Sequence, residues 1–165
     1  MTILIVTNSY DPTADFVINQ LKDKRIPHAR LNTDKFLTDI SYVYNLDNNS
    51  VEPNLKLTIE GVDLDLKMVK SVWVRRPEDP VPNSLITFPE AQRYCVIEAN
   101  YLLKCIYALL DKAIWVSHPK SIAYANVKLH QLALARDLGF CVPKSMCTND
   151  PEIARRFIEE VGEVV

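Results

Sequence analysis

The sequence predicts an α/β protein built on a mixed, mainly parallel sheet, and three features carry that expectation. Thr2 to Thr7 is an unbroken run of apolar and β-branched residues, as a strand covered on both faces requires. A helical stretch and a short run, His28 to Leu31, come next, so the chain opens as a strand–helix–strand unit. Val69 to Val74 then returns as a core-type strand that stops at Arg75-Arg76-Pro77.

The elements follow in order. Asn8-Ser-Tyr-Asp-Pro is a turn, and Thr13 is placed to cap a helix through Lys24 with Phe16, Val17, Ile18 and Leu21 on its inner side. Ser41 to Leu46, Leu55 to Glu60 and Val62 to Leu66 read as β segments separated by Asn/Asp turns. Alternation at Leu55, Leu57 and Ile59 marks an antiparallel excursion with one wet face. Pro77 to Pro82 is a proline-stiffened loop carrying Glu78 and Asp79. Pro89 suits the first turn of a long helix to about Lys112, whose wide apolar face includes Val96, Ile97, Leu103, Ile106 and Leu109.

Ala113 to Val116 is the next strand. A helix from about Tyr124 to Leu138 is expected to stop at Gly139, with Cys141-Val-Pro and Ser145 to Cys147 extended. Asp150-Pro-Glu opens the last helix, and Glu163-Val-Val begins another strand. The domain boundary falls at His118-Pro119-Lys120, dividing residues 1–119 from 120–165.

Composition excludes several function classes. With 165 residues and 48% hydrophobic content, the chain can bury a core as one domain, or as one domain plus part of a second. A net charge of −2 gives no basis for general nucleic-acid binding. Gly61, Gly139 and Gly162 are too far apart for a dinucleotide fingerprint or a P-loop. Cys95, Cys105, Cys141 and Cys147 form no C-x-x-C pair and lie far from His28, His118 and His130, so no zinc site is expected. They read as reduced, buried or half-buried thiols of a cytoplasmic protein, since no signal peptide precedes them and no stretch spans a membrane.

Chemistry is expected beyond the carboxyl ends of the parallel strands, where open α/β sheets bind ligands. That rim comprises Asn8 to Asp11, Asn32 to Phe36, Arg75 to Glu78 and Ser117 to Lys120. Arg75 and Arg76 leave a strand directly, and a guanidinium there can hold a carboxylate or phosphate in a bidentate fork. The plainer alternative pairs one of them with Glu78 or Asp79 and leaves the other solvated. Lys128, at a helix start, can reach a phosphate as a point charge. By composition alone it is an exposed helix lysine. Trp73 and Trp115 read as core residues. No catalytic triad and no pair of catalytic carboxylates is present.

Several stretches together resemble the N-terminal half of ATP-grasp peptide maturases of the microviridin (graspetide) type, and more distantly ribosomal-protein glutamate ligases. They are Ile3-Leu-Ile-Val-Thr, Arg30-Leu-Asn-Thr-Asp-Lys-Phe, Val72-Trp-Val-Arg-Arg-Pro, and Ala125-Asn-Val-Lys-Leu-His-Gln-Leu-Ala-Leu-Ala, then Gly139-Phe-Cys-Val-Pro-Lys-Ser and Thr148-Asn. The resemblance covers almost the whole chain. It implies a Rossmann-like pre-ATP-grasp domain over 1–119 and the beginning of an ATP-grasp central subdomain over 120–165.

By the same resemblance, a parent enzyme would activate a side-chain carboxylate of a ribosomal precursor peptide as an acyl phosphate. It would then form an ω-ester or ω-amide, using ATP and magnesium. Lys128 takes the place of a nucleotide-phosphate lysine, and Arg75 and Arg76 are assigned to the acidic precursor. A homodimer is an open possibility. A second ATP-contacting lysine, a glycine-rich loop and magnesium-binding acidic residues are missing. The 165-residue chain alone is therefore expected to be inactive. Rival readings are a stand-alone binding or dimerisation module, and an unrelated flavodoxin-like nucleotide- or sugar-binding domain.

Overall fold

A computed structural model describes residues 1–46, 48 and 54–162. The chain forms two compact units, Met1–Pro119 and Lys120–Val165.

In the first unit a four-stranded sheet, order β2-β1-β6-β7, is parallel throughout: β1 (Thr2–Thr7), β2 (His28–Asn32), β6 (Val69–Val74) and β7 (Ile114–Val116). Leu4, Ile5 and Val6 of β1 are fully buried, because a central parallel strand has both faces covered. Helix α1 (Pro12–Asp23) packs Ala14, Ile18 and Leu21 against Ile3, Ile5 and Trp73. The crossover through α1 steps from β1 outward to β2, and that through α2 (Pro89–Leu109) steps from β6 outward to β7 in the opposite direction. Right-handed crossovers in opposite directions put the two helices on opposite faces. Leu4 and Val6 of β1 and Ala99, Leu103 and Ile106 of α2 are all buried.

A second sheet, order β3-β4-β5, is antiparallel: β3 (Ile40–Asn45), β4 (Asn54–Ile59) and β5 (Val62–Asp65). Leu55, Leu57 and Leu64 are buried on one face, while the Lys56, Thr58, Asp63 and Asp65 face is polar, as the alternation requires. Phe36, fully buried just after β2, stacks on Tyr42 of β3 at 6.0 Å between ring centroids.

Several expectations are corrected. Asp11, not Thr13, caps α1: its carboxylate accepts from the Thr13 and Ala14 amides at 3.1 and 3.2 Å, with Pro12 in the first turn. Phe16 is 66% exposed, because Ala14 and Ile18 occupy the sheet-facing stripe. The apolar face of α2 is narrower than read: Ile97 and Leu109 are exposed. Cys105, Cys141 and Cys147 are exposed rather than half-buried, and all four cysteines are free. Trp115 is held in the fold by its indole N–H, which donates to the Leu110 carbonyl at 3.0 Å, and by edge-to-face contact with Tyr107.

In the second unit, the single helix expected over 124–138 is two: α3 (Pro119–Ala125) and α4 (Lys128–Asp137). Val127 takes an extended conformation between them, where a β-branched residue is comfortable. Gly139 closes α4 as expected. At φ +83°, its amide donates to the Arg136 carbonyl and the Phe140 amide to the Ala135 carbonyl, a paired helix-ending motif. No regular element spans Phe140–Asn149. Asp150 caps α5 (Pro151–Val161) through the Glu152 and Ile153 amides. The strand expected at Glu163 lies outside the described residues. Among the described residues no helix is long and apolar enough to cross a membrane.

Every buried apolar side chain among the described residues lies in the first unit, and none lies in α3, α4 or α5. Ile153 and Ile158, on the amphipathic α5, are exposed. Local opening energy follows buried apolar contact. Amide exchange measured by mass spectrometry is expected to show protection in 151–161 at least about a hundredfold below that of 2–7 and 69–74. Equal protection would contradict it.

Candidate functional site at the sheet rim

The parallel register sets the ends of the four strands level, with Thr7 opposite Asn32, Val6 opposite Val74 and Trp73 opposite Val116. The loops after β1, β2 and β6 are then laced together. The Arg75 amide donates to the Val6 carbonyl at 2.9 Å, and the Asn8 side-chain amide donates to the Arg76 carbonyl at 2.9 Å. The Thr33 hydroxyl donates to the Thr7 carbonyl at 3.2 Å and accepts from the Glu78 amide at 2.8 Å. Asp34 accepts from the Ser9 amide through its carboxylate and from the Val81 amide through its carbonyl, both at 3.0 Å.

Among the described residues, the polar residues that are buried as a whole (Thr7, Asn8, Asp11, Thr33 and Asp34) sit at this end of the sheet. Burying them is tolerable because each is hydrogen-bonded. Burial pushes the Asp11 carboxyl up. The Thr7 hydroxyl at 2.7 Å, the Ala14 amide, the Arg75 charge and the Thr13 amide outweigh it, so Asp11 ends below the ordinary carboxylate value. The Ser9 hydroxyl is buried without a hydrogen-bond partner among the described residues.

Arg75 and Arg76 therefore leave a rigid frame. Arg75 is half-buried with its charge felt at Asp11, and Arg76 is exposed. Neither forms an ion pair among the described residues. The Asp79 carboxylate instead accepts from the Asn100 side chain at 3.0 Å. Sequence reasoning missed Arg30, which clips the rim: its guanidinium donates to Asp15, to the Asn32 side chain at 2.7 Å and to the Asn8 carbonyl at 2.7 Å. An arginine two residues before the end of a β-run was its available signal.

Lys128 lies in the other unit, exposed, as the first residue of α4. No side chain caps that helix, and the lysine has no partner among the described residues. An uncapped helix start with a free ammonium suits a phosphate oxygen. Among the described residues no group of three or more His, Cys, Asp or Glu is gathered to hold a metal ion. A cleft of about 810 Å³ opens beside β2, between α1, β2 and the β4–β5 hairpin, and reaches the Arg30–Asp15 pair. It contains none of Arg75, Arg76 and Lys128, and its Asp15, Lys22, Arg30, Glu60 and Asp63 lining mixes both signs of charge.

The first unit is thus an α/β domain: a four-stranded parallel sheet with a laced, arginine-bearing rim and an antiparallel annex. The sequence model of the MvdD pre-ATP grasp domain matches residues 2–123, and the chain belongs to that family. No curated protein matches it. Among solved structures, macrocyclase MdnB from Microcystis aeruginosa MRC is 30% identical with a TM-score of 0.87, over 97% of this chain and 52% of that one. Macrocyclase MdnC from the same source, bound with precursor peptide MdnA, is 26% identical with a TM-score of 0.86, over 97% and 51%. A Chryseobacterium gregarium RiPP-associated ATP-grasp ligase, in complex with ADP and a leader and core peptide, shares the fold at 22% identity and a TM-score of 0.79, over 96% and 47%. The chain thus spans about half the length of these enzymes.

Proposed function

We propose that this chain is the N-terminal region of an ATP-dependent ligase that crosslinks a ribosomally made precursor peptide through ω-ester or ω-amide bonds. The observation that carries the reading is the pair of arginines on a fixed rim, without ion-pair partners among the described residues, in a chain of the pre-ATP-grasp family. Support also comes from its likeness to two macrocyclases, one of them bound with its precursor peptide.

In this reading residues 1–119 form the pre-ATP-grasp domain and 120–165 begin the ATP-grasp central subdomain. Arg75 and Arg76 hold an acidic side chain of the precursor by charge-assisted hydrogen bonds, with Arg75 near enough to Asp11 for its charge to be felt there. Lys128 neutralises a phosphate oxygen at the start of α4. Bound ATP supplies the phosphoryl group that activates the carboxylate. The 165-residue chain by itself performs no ligation, because one phosphate-binding lysine does not assemble a nucleotide site.

One experiment separates the roles, using a longer parent enzyme that contains this chain. Arg75→Met and Arg76→Met are expected to weaken precursor binding roughly tenfold or more in at least one case, with nucleotide affinity retained. Lys128→Met is expected to weaken ATP binding or turnover about tenfold to a hundredfold, or about 1.4–2.8 kcal/mol, with precursor affinity retained. Titration calorimetry on each folded variant reads both. Unchanged precursor affinity in both arginine variants would reduce them to surface residues, and unchanged ATP use would do the same for Lys128.

A further inference from the structure

The parallel sheet has an open edge along the cleft beside β2. That strand is outermost on its side, and the β4–β5 hairpin across the cleft belongs to the other sheet. Register shows which backbone groups look into the opening. The Ile3 amide donates to the Pro27 carbonyl at 3.0 Å, and Ile3 pairs with His28 as Ile5 pairs with Arg30. Along a parallel ladder alternate residues turn amide and carbonyl to the same side. Ala29 and Leu31 therefore bond to β1, while His28 and Arg30 turn both groups outward. Such a row of donors and acceptors is a template for one more extended chain.

The cleft walls add charge of both signs. Helix α1 contributes Asp15 and Lys22, and the hairpin contributes Glu60 and Asp63. Asp15 is taken by Arg30, and Asp63 accepts from the Thr58 hydroxyl at 2.7 Å. Lys22 and Glu60 are exposed, one on the helix wall and one on the hairpin wall, and neither side chain has a partner among the described residues. A volume of about 810 Å³ matches the room that binding sites offer, about 300–1,000 Å³. A phosphorylated ligand would set its anion against Glu60 and Asp63, whereas a peptide main chain bearing both charges opposes neither wall. We propose that the cleft binds an extended segment of a separate peptide, which adds to β2 as an outer strand and brings an acidic side chain to Lys22 and a basic one to Glu60. Main-chain bonds to His28 and Arg30 supply affinity, and the two charges select the sequence. This inference stands without the proposed ligase function, and the Arg75–Arg76 rim takes no part in it.

The test uses two acetylated, amidated probes, Thr-Glu-Val-Lys-Val-Thr and Thr-Glu-Val-Val-Lys-Thr, which set their charges on the same face and on opposite faces of a strand. Heteronuclear NMR titration of the natural chain should show at least one of them binding with Kd below about 1 mM, moving the amide signals of His28 and Arg30. N-methylation of the bound probe at its Glu and at the following Val blocks amides that point to opposite sides. One of the two should weaken binding at least about tenfold and the other should be tolerated. Lys22→Glu and Glu60→Lys should each weaken binding about threefold or more. No binding by either probe, shifts confined to Arg75 and Arg76, equal effects of the two N-methylations, or unchanged affinity in either variant would each overturn the proposal. The N-methyl comparison needs only the natural chain, so it decides the matter even where a variant fails to fold.

Discussion

Phe36→Ala is expected to lower the unfolding free energy by about 3–5 kcal/mol, the cost of emptying a fully buried aromatic site. The ring lies just beyond β2, where the parallel sheet gives way to the antiparallel one, and it stacks on Tyr42 with planes only 12° apart. Two contributions are therefore lost together: the cavity left in the first unit and the aromatic pair, the latter worth about 1 kcal/mol. Urea denaturation should show a lower midpoint at unchanged slope. Tyr42→Ala should cost less, because that ring is already half in water. The double variant should fall short of the sum by the pair's coupling. Strict additivity would mean that the stack contributes nothing.

Asp11→Ala is the second large effect, expected at about 2–5 kcal/mol. Losing the cap of α1 costs roughly 1–2 kcal/mol, and the fully buried Thr7 hydroxyl is left without its acceptor, at a further 1–3 kcal/mol. The pH dependence has a definite sign. Asp11's carboxyl is lowered in the folded state, so its stabilisation is complete above its unfolded value of about 3.9 and fades as pH falls through the lower folded value. The stability gap between the natural chain and Asp11→Ala should be constant near neutrality and shrink in acid. A gap that widens in acid would contradict the assignment.

Much of the parallel sheet was legible, because strands covered on both faces appear as continuous apolar runs. Thr2–Thr7 and Val69–Val74 need no alternation to be recognised, and their ends match the observed strands. The Asp11 cap was legible in principle: Asp150-Pro151 carries the same aspartate–proline signal and was read correctly. The break at Asn126-Val127 was not, since neither residue is a strong breaker and the apolar spacing runs on across it. Nor was the burial of Thr7, Thr33 and Asp34. Short polar residues at strand ends have the same composition as an exposed turn, and only the register between distant strands closes water out. Arg75 and Arg76 were visible because a strand followed at once by two arginines is unusual; Arg30 was hidden within its strand.

The helices between Lys120 and Gly162 have no buried apolar residue of their own. Asp150 and Gly139 bind orphan backbone groups of α5 and α4, which lowers the cost of nucleation, but helices of 10 and 11 residues are marginal on local chemistry alone. Fixing a residue's backbone consumes about 1–2 kcal/mol of entropy, and a helix that is wound only part of the time still owes much of it. Such a segment is a part half made: its caps fix where each helix starts and stops, and burial of its apolar face completes it.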